Sequence, residues 1–378
     1  MIDCDFPGGN ILVEGIEGNT VRVRQDLRDT RGDWFYWYFR VRGAAGCTLT
    51  FEFTQSNVIG VRGPAVSTDG GQTWCWLGSD AVRGSSFRYT FPADADEVRF
   101  GLAMPYVQAH LDAFLRQHEG NPALRRDVLC RTPKGREVEL LHVGRLDGKA
   151  PHKALLTCRH HCCEMMASYA LEGILTTILS DTEDGQWLRE HVEFLVVPFV
   201  DKDGVEDGDQ GKNRFPRDHN RDYGPDSLYP TTRAIKELVP RWAEGRLRFT
   251  LDLHCPWIRG EYNEHIYFVG SENQENWQHV LGFARLLEQI QTGPLPYRVD
   301  GNLPFGQRWN TAANYHQGMS CARWAAGLPG IWAAMSIEIP YANVLGAPVT
   351  PESARLFGQD LARTMRRWLD AQDGREQP

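Results

Sequence analysis

The sequence predicts an α/β chain in two parts. An all-β sandwich over residues 1–104 precedes a mixed, largely parallel sheet flanked by helices over 105–378. Three observations predict this. Up to about residue 103 the chain runs in short, alternating, β-rich segments separated by Gly- and Asp-containing turns. Beyond Pro105, strand-like and helix-like periods alternate. And 378 residues with 42% hydrophobic and 11% aromatic content suffice for two cores.

In the first part, segments 20–24, 34–41, 47–53 and 86–90 read as sandwich strands. The turn Ser67-Thr68-Asp69-Gly70-Gly71-Gln72-Thr73-Trp74 resembles the Asp-box hairpin of sialidase propellers. A propeller repeats that box once per blade; this chain has it once, so it reads as a structural hairpin. In the second part, 106–118 reads as an amphipathic helix. Strands 127–131 and 137–143 follow, joined at Pro133-Lys134-Gly135. Strands 154–158, 194–200, 249–253 and 334–339 then alternate with helices 165–180, 232–244, 276–291 and 353–371, the last capped by Thr350 before Pro351. The tail from Gln372 is expected to fray. In such sheets chemistry gathers beyond the C-terminal strand ends.

A net charge of -8 argues against nucleic acid or an acidic membrane as partner. The longest apolar run, 194–200, is too short to cross a bilayer. Met1 to Pro7 lacks the basic start and apolar run of a signal peptide, and nine cysteines show no Cys-x-x-Cys pair. The expectation is a cytoplasmic protein with reduced thiols.

Three strand ends carry candidate chemistry. After strand 154–158, His161 and Glu164 stand three apart where loop becomes helix, so they share a face and can offer two ligands to one divalent metal. Of twelve histidines this is the one with Glu three residues on, and chance allows one such pair. Strand 249–253 runs into His254, which reads either as a satisfied core histidine or as a third ligand. Two His and one Glu leave a position for water, the ligand set of a catalytic zinc. Glu338 interrupts the apolar run 334–339. A buried carboxylate needs a partner or a task, and a general base on a metal-bound water meets both. The loop after Val200 is long, polar and Arg-rich, with Arg214 suited to an oxyanion and Asn220-Arg221 to a carboxylate. As a bare charge-rich loop it would equally be a solvated surface segment.

Taken in order, His161-x-x-Glu164, Asp203-Gly204-Val205, Asp218-x-Asn220-Arg221, His254 and Glu338 resemble the signature of the M14 zinc carboxypeptidases. More narrowly the chain resembles the cytosolic carboxypeptidase subfamily, which places a β-sandwich before the catalytic domain. The resemblance implies one zinc per chain on His161, Glu164 and His254, with Glu338 as base and proton shuttle and Arg214 polarising the scissile carbonyl. It implies that Asn220 and Arg221 hold the terminal carboxylate, that Asp218 orients the first zinc histidine, and that Tyr315 matches the family's mobile substrate tyrosine. The implied substrates are peptide or protein C-termini, with no nucleic acid and no membrane as partner. Counting back from Glu338 puts Arg323 at the base of the specificity pocket, implying a preference for acidic C-terminal residues; aligning on Trp324 puts Ala322 there instead. The chain departs from the family at Cys162-Cys163, at Cys255 and at His219, where the family has turn-forming or aliphatic residues. The thiols are then either buried hydrophobes or oxidation-prone neighbours of the metal.

Two rival readings remain open. One is a zinc amidohydrolase of the aspartoacylase or deacylase type acting on N-acyl amino acids. The other is a binding protein with a decayed peptidase domain. The absence of Gly-x-Ser-x-Gly and His-Glu-x-x-His motifs argues against serine-hydrolase and thermolysin-like chemistry.

Overall fold

The structure, a computed structural model, describes residues 1–376. Two five-stranded sheets fill residues 2–101. One orders Ile2–Asp3, Tyr38–Arg42, Glu97–Gly101, Ala65–Ser67 and Cys75–Trp76; the other orders Leu12–Glu17, Thr20–Arg24, Thr48–Phe53, Ser86–Thr90 and Val82–Arg83. Alternation along the strands turns Val21 and Val23, Phe51 and Phe53, and Val98 and Phe100 inward. Across the gap Phe39 meets Phe51 at 5.3 Å and Phe87 meets Phe100 at 5.3 Å, so the sheets pack face to face. The Asp69 turn closes on itself: Ser67 Oγ donates to Asp69 Oδ1 at 2.8 Å, and Trp74 Nε1 donates to the Gly71 carbonyl at 3.0 Å.

The predicted strand 34–41 begins only at Tyr38. Residues 34–37 have backbone groups committed to side chains: Tyr36 N donates to Gln210 Oε1 at 2.7 Å, and the Trp34 and Tyr36 carbonyls accept from Gln25 Nε2 and Gln210 Nε2, each at 2.9 Å.

The second part is a seven-stranded mixed sheet ordered Leu124–Arg131, Glu137–Gly144, Val192–Val197, His152–Cys158, Leu247–His254, Ala333–Glu338 and Tyr267–Phe268. Its four middle strands are parallel and the flanking ones antiparallel. Successive residues of His152–Cys158 face opposite cores. Ala154 and Leu156 join the core under helices Met165–Leu179 and Pro351–Glu376, and Leu155 joins the core under helix Pro230–Ala243. Burial on both faces is why these strands read as unbroken apolar runs. The Val192–Val197 strand stops short of the predicted 200 at Pro198, which has no N–H to give the ladder. The long loop beyond it is more ordered than its composition suggests. Asp201 caps the helix Lys202–Asp207 by accepting from Gly204 N, and Gly208, at φ 73°, ends it. The closing helix runs from Pro351 to Glu376, past the predicted end at 371, and His152 Nε2 lies 2.8 Å from Asp373 Oδ2.

Helix Met165–Leu179 starts directly after Glu164, so its seating fixes that carboxylate. It crosses Pro351–Glu376 through two glycines at backbone distance. A Cβ on Gly173 would fall 1.9 Å from the Arg355 carbonyl oxygen, and one on Gly358 would fall 2.0 Å from that of Ala170. Gly173→Ala is expected to destabilise the fold by about 1–3 kcal/mol, the cost of overpacking. A lowered urea midpoint with an unchanged slope would show it; an unchanged midpoint would mean that the helices separate freely.

Candidate active site

The register of the parallel strands brings the site together. His254 ends Leu247–His254 and pairs directly with Glu338, which ends the neighbouring Ala333–Glu338. His161 and Glu164 follow the other neighbour, His152–Cys158. The turn between that strand and Glu164 is stapled by Arg159. Its backbone is left-handed (φ 60°), and its guanidinium donates to the carbonyls of Cys162 and Tyr106 and to Ser168 Oγ.

Glu164 is fully buried. His161 Nδ1 lies 2.9 Å from its Oε1 and His254 Nδ1 lies 2.8 Å from its Oε2. Both rings turn their other nitrogen to a carboxylate: His161 Nε2 to Asp218 at 3.0 Å and His254 Nε2 to Asp252 at 2.7 Å. An imidazole that gives its Nε2 proton to a carboxylate keeps its Nδ1 lone pair for a metal. The potential ligand atoms of His161, Glu164 and His254 all lie within 4.8 Å of one another. Four carboxylates, of Glu164, Asp218, Asp252 and Glu338, are buried here. Lys212, Arg221 and Arg323 are the cations lining the same space, and Arg323 is paired with Glu272. That excess of negative charge, with two oriented imidazoles, fits a dication.

A second group, His160, Asp252 and Cys321, also lies close enough to hold a metal. His160 spends both ring nitrogens, on Asp252 Oδ1 at 2.8 Å and on Tyr223 Oη at 2.8 Å. It is a closed support behind His254.

Glu338 borders a cavity of 320 Å³ also lined by Asn220, Arg221, Tyr315 and Arg323. Burial pushes the Glu338 carboxyl above its ordinary pKa; Lys212 opposes this and Glu164 adds to it. Its Oε2 is buried with no hydrogen-bond partner among the described residues. Asn220 is already engaged, its Oδ1 accepting from Cys321 N at 2.9 Å and its Nδ2 standing 3.1 Å from His254 Nε2. Arg221 donates to the carbonyls of Asn314 and Asn220 and lies over the Tyr315 ring at 4.8 Å. Tyr315 Oη donates to Asn310 Oδ1 at 2.8 Å. Arg323 and Ala322 both line the cavity; the guanidinium stacks on Tyr315 at 3.5 Å and pairs with Glu272 at 3.1 Å.

Arg214 does not join them. Its guanidinium faces away from the cavity into three carboxylates, 2.6 Å from Asp201, 3.0 Å from Asp209 and 3.5 Å from Asp29. Three anions in a buried space hold it there. The cation at the site is Lys212, which sequence reading passed over. Its Nζ lies 2.6 Å from Glu164 Oε1 and donates to the Cys255 carbonyl at 3.0 Å. Burial alone would lower its pKa, but Glu164 and Glu338 outweigh burial and hold it charged. The available signal was Gly211 before it. At φ 76° that glycine passes so near Cys162 that a Cβ would fall 2.5 Å from Cys162 N, which carries the chain under the metal-side turn.

The neighbouring thiols stay out of the ligand group. Cys162 Sγ donates to the Asp209 carbonyl at 3.0 Å, and Cys163 lies 3.7 Å from Tyr341 Oη. Burial raises the pKa of both, as it does that of Cys255. His219 stacks on Tyr229 at 3.7 Å, and burial lowers its pKa to about 4.

Residues 111–254 match the model of the zinc carboxypeptidase family. Beyond that segment the chain is similar to cytosolic carboxypeptidases. It is 29% identical to cytosolic carboxypeptidase 2 of Mus musculus over 76% of this chain and 38% of that protein. The chain thus spans less than half the length of that relative. An uncharacterised protein of Zymomonas mobilis is 23% identical over 98% of this chain and 97% of its own. The fold matches a metallo-carboxypeptidase from Burkholderia cenocepacia with a TM-score of 0.79 at 19% identity, covering 98% and 99% of the two chains.

The Arg214 cluster gives a pH dependence. Burial, with Asp29 and Asp201 adding to it against Arg214 and Arg28, raises the Asp209 carboxyl from 3.8 to about 6. The folded state therefore holds a proton there that the unfolded state has released, so this contribution to stability is full below pH 3.8 and is lost as pH rises through about 6. Asp209→Asn removes that slope. Between pH 4 and 7 the parent is expected to lose up to about 3 kcal/mol relative to the variant, read from urea midpoints at each pH. A parent–variant difference that is flat with pH would show that this carboxyl does not titrate in the range.

Proposed function

We propose that the chain is a zinc metallocarboxypeptidase that removes the C-terminal residue of peptides or proteins. The observation that carries this is the Nδ1-to-Nδ1 arrangement of His161 and His254 about Glu164, opening on a cavity that holds Glu338 and Arg221. His161, Glu164 and His254 would hold one zinc per chain. Bound there, zinc supplies Lewis acidity, which lowers the pKa of a coordinated water and polarises a carbonyl.

The chain's own residues do the rest. Glu338, its carboxyl raised by burial, takes the proton from the attacking water and returns it to the leaving amine. Lys212 stands where negative charge develops and offsets it, the part that sequence gave to Arg214. The same ammonium is a counter-ion of Glu164, 2.6 Å from its Oε1. Asp218 and Asp252 hold the tautomers of the two histidines. Arg221, with Asn220 and Tyr315 beside it, binds the terminal carboxylate, so only a chain end reaches Glu338. The sandwich over 1–104 and the catalytic unit over 105–378 are the two parts of this proposed enzyme. The names of the cytosolic relatives support a cytoplasmic setting.

Metal analysis and a panel of C-terminal peptides and N-acyl amino acids test this on four proteins. The parent is expected to bind about one zinc per chain and to release free C-terminal residues from peptides. Glu338→Gln should keep the metal and lose about 10²–10⁴ in kcat. Lys212→Ala should keep the metal and lose about 10²–10³, with Lys212→Arg recovering part. A metal-free parent, release only from N-acyl amino acids, or equal release by Glu338→Gln would overturn the proposal.

Specificity rests on Arg323. Its partner Glu272 is an exposed residue at the cavity edge, and an acidic C-terminal side chain offers the same anion. Arg323→Ala is expected to lower kcat/KM on Glu-terminated peptides by about tenfold or more relative to Ala-terminated ones. An unchanged ratio would remove Arg323 from specificity and leave Ala322 at the pocket base.

A further inference from the structure

One wall of the cavity comes from the sandwich part of the chain. Trp34 lines it together with Trp257, three residues beyond His254. The two indoles lie 5.1 Å apart, and Phe35 meets Trp257 edge-on at 4.9 Å. Trp257 is 44% exposed although it sits in this aromatic group. Exposed tryptophan beside a cavity marks a surface that a ligand covers.

The wall is held rigidly. Asp29 accepts from the backbone N–H of Gln210 at 3.0 Å and of Gly211 at 2.9 Å, and Phe215 N donates to the Asp29 carbonyl at 3.0 Å. Arg31 N donates to the Asn213 carbonyl at 3.3 Å, and Thr30 Oγ1 bonds the Lys212 carbonyl. The segment around Asp29 is therefore laced to the loop that bears Lys212, and the Lys212 ammonium lies 5.7 Å from the centre of the Trp34 ring.

Direction follows from the same contacts. Arg221 and Arg323 both stack on Tyr315. Trp34 and Trp257 make their ring contacts with each other, Phe35 and Lys212 instead. The two indoles line the cavity and adjoin Lys212, so a peptide whose terminal carboxylate sits at Arg221 and whose last amide bond sits at Glu338 and Lys212 can run along them on its amino side.

We propose that Trp34 and Trp257 form a subsite for the residue on the amino side of the scissile bond, and that it selects an aromatic or large aliphatic side chain there. Trp34 is the specificity residue that the sandwich part contributes. This rests on the carboxypeptidase reading for the direction of the chain, and the test separates the two.

The test uses the full-length Glu338→Gln protein, zinc-loaded, and two N-blocked peptides that share their last residue and carry Phe or Gly before it. Binding is measured by calorimetry, so no turnover is needed. The Phe peptide is expected to bind about tenfold or more tighter, as burial of one aromatic side chain allows. Adding Trp34→Ala should bring the two affinities within about threefold, and Trp34→Phe should restore most of the gap. Should Trp34→Ala not fold, Trp257→Ala is expected to bring the two affinities within about threefold in its place. Equal binding of the two peptides, or a preference that survives Trp34→Ala and Trp257→Ala alike, overturns the inference. If the Phe preference appears but the parent with Glu338 releases no residue from either peptide, the carboxypeptidase reading fails and the indoles stand as a binding site for an aromatic side chain only.

Discussion

A single buried carboxylate sets the terms for the rest of this molecule. Glu164 has no access to solvent, and an ionised carboxylate taken out of water is tolerable only with charged or strongly polar partners at close range. The fold supplies three within 3 Å: His161, His254 and Lys212. Each imidazole in turn needs an acceptor behind it, which Asp218 and Asp252 provide. Asp252 needs His160 and Thr157, and His160 needs Tyr223. The chain of requirements ends only where each polar group has a partner, several residues back from the cavity. The site is therefore as much a property of the ends of three adjacent parallel strands as of any one residue.

The same logic explains why the all-β part is not a detachable addition. The loop between Gly208 and Arg221 carries Lys212, Asp218, Asn220 and Arg221, but has few backbone partners of its own. Asn10, Asp29, Thr30, Arg31 and Tyr36 supply them across the junction. A long polar loop pays conformational entropy for every residue held in place. Here a segment from the other part of the chain holds it, and the two parts share one continuous apolar core.

How much of this was legible in the sequence depends on the range of the interaction. The helices and strands read in the second part follow from apolar periodicity and are displaced at their ends by a few residues, where proline or a cap decides; the helix Glu183–His191 and the edge strand Tyr267–Phe268 were not read. The convergence of His161, Glu164, His254 and Glu338 was legible because each sits at a strand end, and parallel strands bring their ends to one edge. Two features were not legible. Residues 34–37 look like strand by composition, yet backbone groups there go to the side chains of Gln25 and Gln210, which only the folded chain brings near. And Arg214 reads as the natural oxyanion partner because arginine makes the stronger fork, with nothing nearby in the chain to show that Asp29 comes in beside Asp201 and Asp209.

The exchange of Arg214 for Lys212 has a backbone cause. In an extended segment residues two apart point to the same side, so 212 and 214 would both face the cavity or both face away. Asn213 between them is left-handed, at φ 47°, and breaks that alternation. Asparagine tolerates this conformation better than most residues with a side chain. The two cations are thereby sent to opposite sides, and each chemistry suits its side. A planar guanidinium with five donors can serve three carboxylates at once, whereas a compact ammonium fits between one carboxylate oxygen and the Cys255 carbonyl. Reversing them would leave three buried aspartates sharing a point charge and would put a bulky fork against the metal-side histidines. The loop is thus built for lysine inside and arginine outside, and the short stretch Gly211-Lys212-Asn213 is the part of the sequence that says so.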